Sequence, residues 1–227
     1  MININICNVK KHELNKMESE EIPTLPTPPT PEQNTQNHAW WNTLSDPWKR
    51  AFNEIMLRVS TFDQPDDQTL HNIVTTEVLR FSGPESPYPN MTFELEDLSG
   101  LSALKNLRIL VVIYQGFKGL KEISNLTELK SLFVFNNRIN SLEGIEGLKN
   151  LTELYLNGNQ ISSLAPLTHL TTLQTIYCNN NKISSLEGIG AAHRPHIKSF
   201  VCLPNENLPD AEIIRMEREI GIRCVKG

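Results

Sequence analysis

The chain has 227 residues, 39% hydrophobic and 21% charged, with a formal net charge of −5 at pH 7. That acidic balance argues against a nucleic-acid binder, which needs a basic stripe, and no run approaches the roughly 18 apolar residues of a membrane span. The length allows one domain of about 190 residues plus a tail, and Cys7, Cys178, Cys202 and Cys224 show neither CxxC spacing nor a dense disulfide framework.

Met1 to Lys16 alternates Ile and Asn and then turns basic. It lacks the apolar core of a signal peptide, so the chain is expected to be cytoplasmic. Met17 is a second candidate start, and nothing after it resembles an export signal. From Glu18 to His38 the chain is Pro, Thr, Glu and Gln with few apolar residues. Such a segment cannot offset its own ordering entropy, so 1–38 is expected to be a disordered leader. Within it Pro23, Pro26, Pro28, Pro29 and Pro31 include PxxP spacings that an aromatic groove could bind, or that simply make an extended linker.

Residues 39–97 are expected to form a helical N-terminal cap. Trp40, Trp41, Leu44, Trp48, Phe52, Ile55 and Met56 supply a helical apolar stripe, with Ser45, Asp46 and Pro47 as a start signal. A second short helix is predicted from Gln68 to Thr75, led by Asp66 and Asp67, and a strand near Val78 to Phe81. The three tryptophans suit either a ligand pocket or a lid on the first rung of a solenoid, which must be covered.

Four runs beginning at Leu107, Leu129, Leu151 and Leu173 recur at a spacing of 22 residues. In the most regular copy Leu151, Leu154, Leu156, Asn159, Ile161, Leu164, Leu167 and Leu170 hold fixed offsets. This pattern has neither the 3.6 period of a long helix nor the alternation of a hairpin sheet, so each unit turns its apolar residues inward as a short coil. Ordering each residue costs on the order of 1–2 kcal/mol, while burying an aliphatic side chain returns roughly 1.5–3 kcal/mol. One coil cannot fold alone, and stacking is obligatory. The first copy is irregular at Gln115, Gly116, Phe117 and Lys118. In the last, 24 residues separate Leu173 from Ile197, and Ala191 to His196 form a small insertion. Pro209 to Gly221 then reads as a helix with Ile213, Met216 and Ile220 on one face, stopped by Gly221, and Ile222 to Val225 as a final strand. Residues 209–227 are the expected C-terminal cap.

These recurring offsets resemble the leucine-rich repeat family in its 22-residue class, found in internalins and in the regulatory subunit of a eukaryotic protein phosphatase. The resemblance covers 98–208. It implies an α/β repeat fold: a right-handed solenoid with a parallel β-sheet on its concave face. It further implies a ladder of Asn137, Asn159, Asn181 and Asn205, because an amide that both donates and accepts can satisfy backbone groups in the turn beside each strand. Cys178 and Cys202 fall at inward positions, where reduced thiols pack as small hydrophobes.

In that fold the residues between inward leucines face the concave side, since strand side chains alternate. The central positions are Val111, Phe133, Tyr155, Tyr177 and Val201, and two residues further stand Ile113, Phe135, Asn157, Asn179 and Leu203. With Tyr114, the aromatics make an apolar patch of the kind that marks partner sites, although cross-strand stacking or coverage by the leader would also account for them. The expected partner-binding residues are Val111, Ile113, Tyr114, Phe133, Phe135, Tyr155, Asn157, Tyr177 and Asn179, with Asn180 and Glu153 at the rim.

Catalytic signals are weak. There is no GxSxG, P-loop or recognisable Cys–His pair. His193 and His196 form an HxxH that is read as a solvated loop and not a metal site. Asn90, Asn125 and Asn150 fit the N-glycosylation triplet, which Asn-Leu-Thr produces readily in this repeat. The expectation is a monomeric, non-enzymatic protein-binding module, with no metal and no cofactor and a protein partner whose identity the repeats leave open. An exported internalin-like adhesin and an intracellular regulator of a phosphatase or other enzyme are the alternatives.

Overall fold

The computed structural model describes residues 28–227. Their organising element is one all-parallel sheet whose seven strands lie side by side in chain order: β1 Val78–Ser82, β2 Ile109–Ile113, β3 Ser131–Phe133, β4 Glu153–Tyr155, β5 Thr175–Tyr177, β6 Ser199–Leu203 and β7 Val225–Lys226. The chain returns between strands through short 3-10 turns at Ser99–Leu101, Lys121–Ile123, Ile145–Gly147 and Ala165–Leu167. Leu110, Leu132, Leu154, Ile176 and Phe200 stand in register across the sheet, and all are sealed from solvent. This is the expected leucine-rich repeat solenoid. Every copy sends one leucine or its equivalent to the same level of a continuous core, so the burial that one coil lacks is supplied by its neighbours.

The buried asparagines close each turn. Asn159 donates through Nδ2 to the carbonyls of Val134 (2.9 Å) and Leu156 (2.8 Å) and accepts from the Ile139 N–H at 3.0 Å. Asn137 donates to Val112 and Val134 O, each at 2.8 Å. Asn181 donates to Leu156 and Cys178 O, and Asn205 to Cys178 and Cys202 O. Gln115 stands where a fifth asparagine would: its Oε1 accepts from the Leu95 N–H at 2.6 Å, and its own N–H reaches Asn137 Oδ1 at 2.7 Å. The longer side chain keeps the accepting half of the pattern, while its Nε2 turns to Met91 Sδ at 3.5 Å instead of to two carbonyls.

The N-terminal cap differs from its sequence reading. Three helices are present, α1 Pro31–Thr43, α2 Asp46–Leu57 and α3 Asp67–Thr75. The leader assigned to 1–38 lies outside the described residues as far as 27, and residues 31–38, expected to be disordered, form the first half of α1. Their order has a local cause and a tertiary one. Thr30 and Gln33 make a reciprocal capping box with Pro31 in the first turn. Asn34 and His38 then bind the two oxygens of Asp67 at the start of α3, at 2.8 and 2.6 Å. Trp48, Phe52 and Phe81 pack ring against ring at 5.4–5.7 Å, which seats α2 on β1. Trp48 Nε1 also donates to Asp97 at 2.9 Å. Glu54 is buried, and burial pushes its carboxyl up; bonds from Thr92, Ser60 and Arg50 outweigh that and hold it below the usual carboxylate range.

Strand β1, placed in the cap by sequence, is a rung of the sheet, paired with β2 from Val78↔Ile109 to Ser82↔Ile113. Its outer edge is occupied by side chains. The Thr76 hydroxyl donates to Val78 O at 3.0 Å and accepts from the Val78 N–H at 3.4 Å. Asn90 Nδ2 donates to Arg80 O, and Asn90 Oδ1 accepts from the Ser82 N–H, both at 2.7 Å. Asn90, read by sequence only as a glycosylation triplet, thus acts as the missing neighbour strand.

At the other end α4, Asp210–Arg215, continues as a π-helical turn over Met216–Ile220 and stops at Gly221 with φ 77°. The last strand lies at Val225–Lys226, toward the C-terminus from the predicted 222–225, and its pairing with β6 is irregular between Val201 and Leu203. Glu212 ties α4 to the last full repeat, accepting from the Leu186 N–H at 2.7 Å and the Ser185 hydroxyl at 3.1 Å. His193 is 1% exposed and not in a solvated loop. Its Nδ1 accepts from the Gly190 N–H and its Nε2 donates to Leu167 O, so it pins the insertion to the core. His196 is exposed.

Candidate functional site

Strand alternation places Phe133, Tyr155 and Tyr177 on the concave face, directly in register across β3, β4 and β5. Their rings form a three-layer stack, with centroids 4.6 Å apart at 17° between Phe133 and Tyr155, and 4.7 Å at 23° between Tyr155 and Tyr177. The spacing is that of the strands themselves, so the sheet prepares the stack before anything binds. Tyr114 meets Phe135 edge-on at 6.3 Å and 80°. All five rings, and Asn157, are partly exposed.

Three other expected contact residues are buried: Val111 at 8%, Ile113 at 4% and Asn179 at 6% exposure. Val111 lies between Arg80 and Phe133, and a short aliphatic side chain is overtopped by larger neighbours one strand spacing away. Ile113 faces Ser82 across the sheet. Asn179 lies against Gly227, beyond β7, and its Oδ1 has no hydrogen-bond partner. Of the nine expected residues, the exposed face therefore brings together the five aromatics and Asn157.

Glu153 supplies the negative charge of this surface. Its Oε2 accepts from the Ser131 hydroxyl on the next strand, a positioning role for Ser131 that sequence reading missed although the two are 22 residues apart in the repeat. Burial, followed by the charge of Glu153 and the neighbouring Tyr177, pushes Tyr155 up to about 12. Its hydroxyl therefore stays protonated and remains a donor.

One backbone feature also escaped sequence reading. Tyr114, Asn136, Gly158 and Asn180 recur at the same repeat position, and all have positive φ, at 55°, 54°, 69° and 55°. Asn and Gly suit that left-handed geometry, whereas a bulky tyrosine does not. The periodic Asn, Gly and Asn were the available signal.

Elsewhere, an open cleft of about 490 Å³ beside the C-terminal cap is lined by Ser185, Glu187, His193, Glu212 and Arg215 among others. Its Ser185, His193, Glu212 and Arg215 are engaged in holding the cap and the insertion. Among the described residues no group of three or more His, Cys, Asp or Glu could hold a metal ion, and no helix is long and apolar enough to cross a membrane.

The family profile described as Leucine Rich repeats (2 copies) matches residues 127–169 and 149–191. No curated protein matches the chain by sequence. Among solved structures, the chain is similar to an internalin, inlF, from Listeria monocytogenes, at 20% identity and a TM-score of 0.51. That likeness covers 58% of this chain and 37% of the internalin, so the chain spans little more than a third of that protein's length. An internalin C2 from the same organism aligns at 19% identity and a TM-score of 0.48 over 78% of this chain and 92% of its own. A PEPR1–AtPEP1 structure aligns at 24% identity and a TM-score of 0.45 over 50% and 17%. At these identities the likeness to the first is one of fold.

Proposed function

We propose that the chain, which carries leucine-rich repeats over residues 127–191, is a non-enzymatic binding module whose protein partner docks on the concave face around Phe133, Tyr155 and Tyr177. The observation that carries this reading is the stack itself: three partly exposed rings held in register by the parallel ladder. Large aromatic side chains fixed before association lose little conformational entropy on binding, and they are enriched among the residues that dominate interface energies. Asn157 and Glu153 add directional polar contacts at the rim. The proposed setting is a monomer in the cytoplasm.

The test compares wild-type protein with a Phe133→Ala, Tyr155→Ala, Tyr177→Ala variant as bait in lysate of the source cells, after circular dichroism has shown both folded. A protein retained by the wild type and lost with the variant supports the concave site and identifies the partner. Equal recoveries refute it. Fractionation of the same cells tests the cytoplasmic assignment, which recovery of the protein in medium or envelope would replace with the exported reading.

A further inference from the structure

We infer that a basic cleft at the C-terminal end of the sheet, walled by Arg194, Lys198 and Arg223, is a binding site for a phosphate group. The inference goes beyond the concave-face reading above and does not depend on it, since the cleft shares no residue with the aromatic stack.

The first support is charge. A cleft of about 290 Å³ lies beside the start of β6 and the approach to β7, and its lining holds three cations and no Asp or Glu. The chain as a whole has the opposite balance, with 26 Asp and Glu against 21 Lys and Arg, and Arg50, Arg108, Arg138 and Arg215 each pair with a carboxylate. Among the described residues Arg194, Lys198 and Arg223 form no ion pair. Glu217, on the π-helical turn, accepts from the Cys224 N–H at 3.1 Å instead. A volume of that size corresponds to a sphere about 8 Å across, no wider than the screening length of about 8 Å at physiological salt. Three like charges therefore repel one another across the cleft, and a bound anion relieves all three.

The second support is placement. Arg194 belongs to the insertion that His193 pins to the core. Its guanidinium lies against Gly221, where a Cβ would stand 2.9 Å from Nε and 3.1 Å from Cζ. Gly221 stops the helix with a positive φ, and its missing side chain also leaves the guanidinium room in the cleft. On the facing strands Val201 pairs with Val225. Two residues before each stand Ser199 and Arg223, and both line the cleft. The Ser199 hydroxyl makes no hydrogen bond among the described residues, so it is free to donate. Phe200 and Ile222 add apolar lining, which strengthens a charge interaction by excluding water.

The third support is the match between this donor set and its ligand. Guanidinium forks engage the oxygens of a phosphate bidentately, and an ammonium adds a point charge. A carboxylate brings one negative charge, whereas a phosphomonoester brings about −1.5 to −2 at pH 7 and three acceptor oxygens. The larger charge is the better complement to three cations and a hydroxyl.

The test follows ¹H–¹⁵N correlation spectra of the full chain during titration with sodium phosphate at constant ionic strength and pH 7.5. Saturable shifts confined to 194–199 and 221–225 are expected, with a dissociation constant of about 1 mM. Arg194→Gln and Arg223→Gln should each weaken binding about ten-fold, and Lys149→Gln, far from the cleft, should leave it unchanged. Lys198→Gln and Arg223→Gln lie outside the insertion, so a loss caused only by moving that loop would appear with Arg194→Gln alone and would count against the site. Shifts spread over the surface, equal shifts from sodium acetate, or constants that none of the three cleft substitutions changes would overturn the inference. A phosphoserine tripeptide that binds more tightly than inorganic phosphate assigns the site to a phosphorylated segment; equal or weaker binding assigns it to a free phosphate. The Phe133→Ala, Tyr155→Ala, Tyr177→Ala variant is expected to keep its phosphate response, so loss of a protein partner and loss of phosphate are separate results.

Discussion

A single buried amide carries much of each turn. Asn159 satisfies two carbonyls and one N–H that are sealed from water. Each buried polar group left without a partner costs about 1–3 kcal/mol, so Asn159→Ala is expected to destabilise the protein by about 3 kcal/mol, read as a lower urea midpoint. Tyr114 presents the opposite case. A non-glycine residue in the left-handed region costs roughly 1–2 kcal/mol, and asparagine tolerates the geometry better. Tyr114→Asn, which places there the residue found at 136 and 180, is expected to raise stability by up to about 1 kcal/mol while removing one ring from the candidate face. A loss of stability in that variant would mean that the tyrosine ring is packing and not presentation. The thiols play a quieter part: burial pushes Cys178 up, leaving it an inert core residue.

At the scale of elements, the C-terminal cap is attached through a charge. The Arg215 guanidinium, aided by the Leu186 N–H and the Ser185 hydroxyl against the opposing effect of burial, holds the Glu212 carboxyl at about 2. Because this folded value lies below the ordinary 4.5, the stabilisation is complete above about pH 4.5 and disappears as pH falls through about 2. Glu212→Gln is therefore expected to lower stability by about 1–2 kcal/mol at pH 7, with a smaller deficit at pH 3, measured as paired urea midpoints. Elements were legible in the sequence where they repeat. The leucine offsets located β2 to β6, and the asparagine offsets located the turns, because each position recurs with the same partners. Elements that occur once were harder to read. Helix α1 has a polar sequence, and its order depends on a capping box and on the bonds of Asn34 and His38 to Asp67, a residue distant in sequence. His193 is buried because the longer last coil folds inward on Leu167. The candidate face was legible as a set of positions but not as a surface. The burial of Val111 and Ile113 depends on the relative sizes of side chains on neighbouring strands, which spacing alone does not reveal.

For the molecule as a whole, a fixed sheet presenting stacked rings gives a candidate surface whose mutation can be separated from folding. Stacked pairs contribute about 0.5–1.5 kcal/mol each beyond burial, so replacing Phe133, Tyr155 and Tyr177 together with alanine is expected to cost only a few kcal/mol, leaving the protein folded by circular dichroism. The closure of β1 bears on how such an array changes length. An inner rung offers the same face to both neighbours, but the first strand already has Thr76 and Asn90 on its outer carbonyls and amides. New units can therefore be accommodated by duplication in the middle and not by addition in front. A chain carrying a second copy of residues 151–172 is expected to fold with one more strand and a higher denaturation midpoint, whereas the same unit placed ahead of β1 should hang unfolded and be removed by limited proteolysis. In evolutionary terms, Thr76 and Asn90 act as a stop: they confine growth to the interior, where every added copy lengthens the ridge of side chains on the concave face.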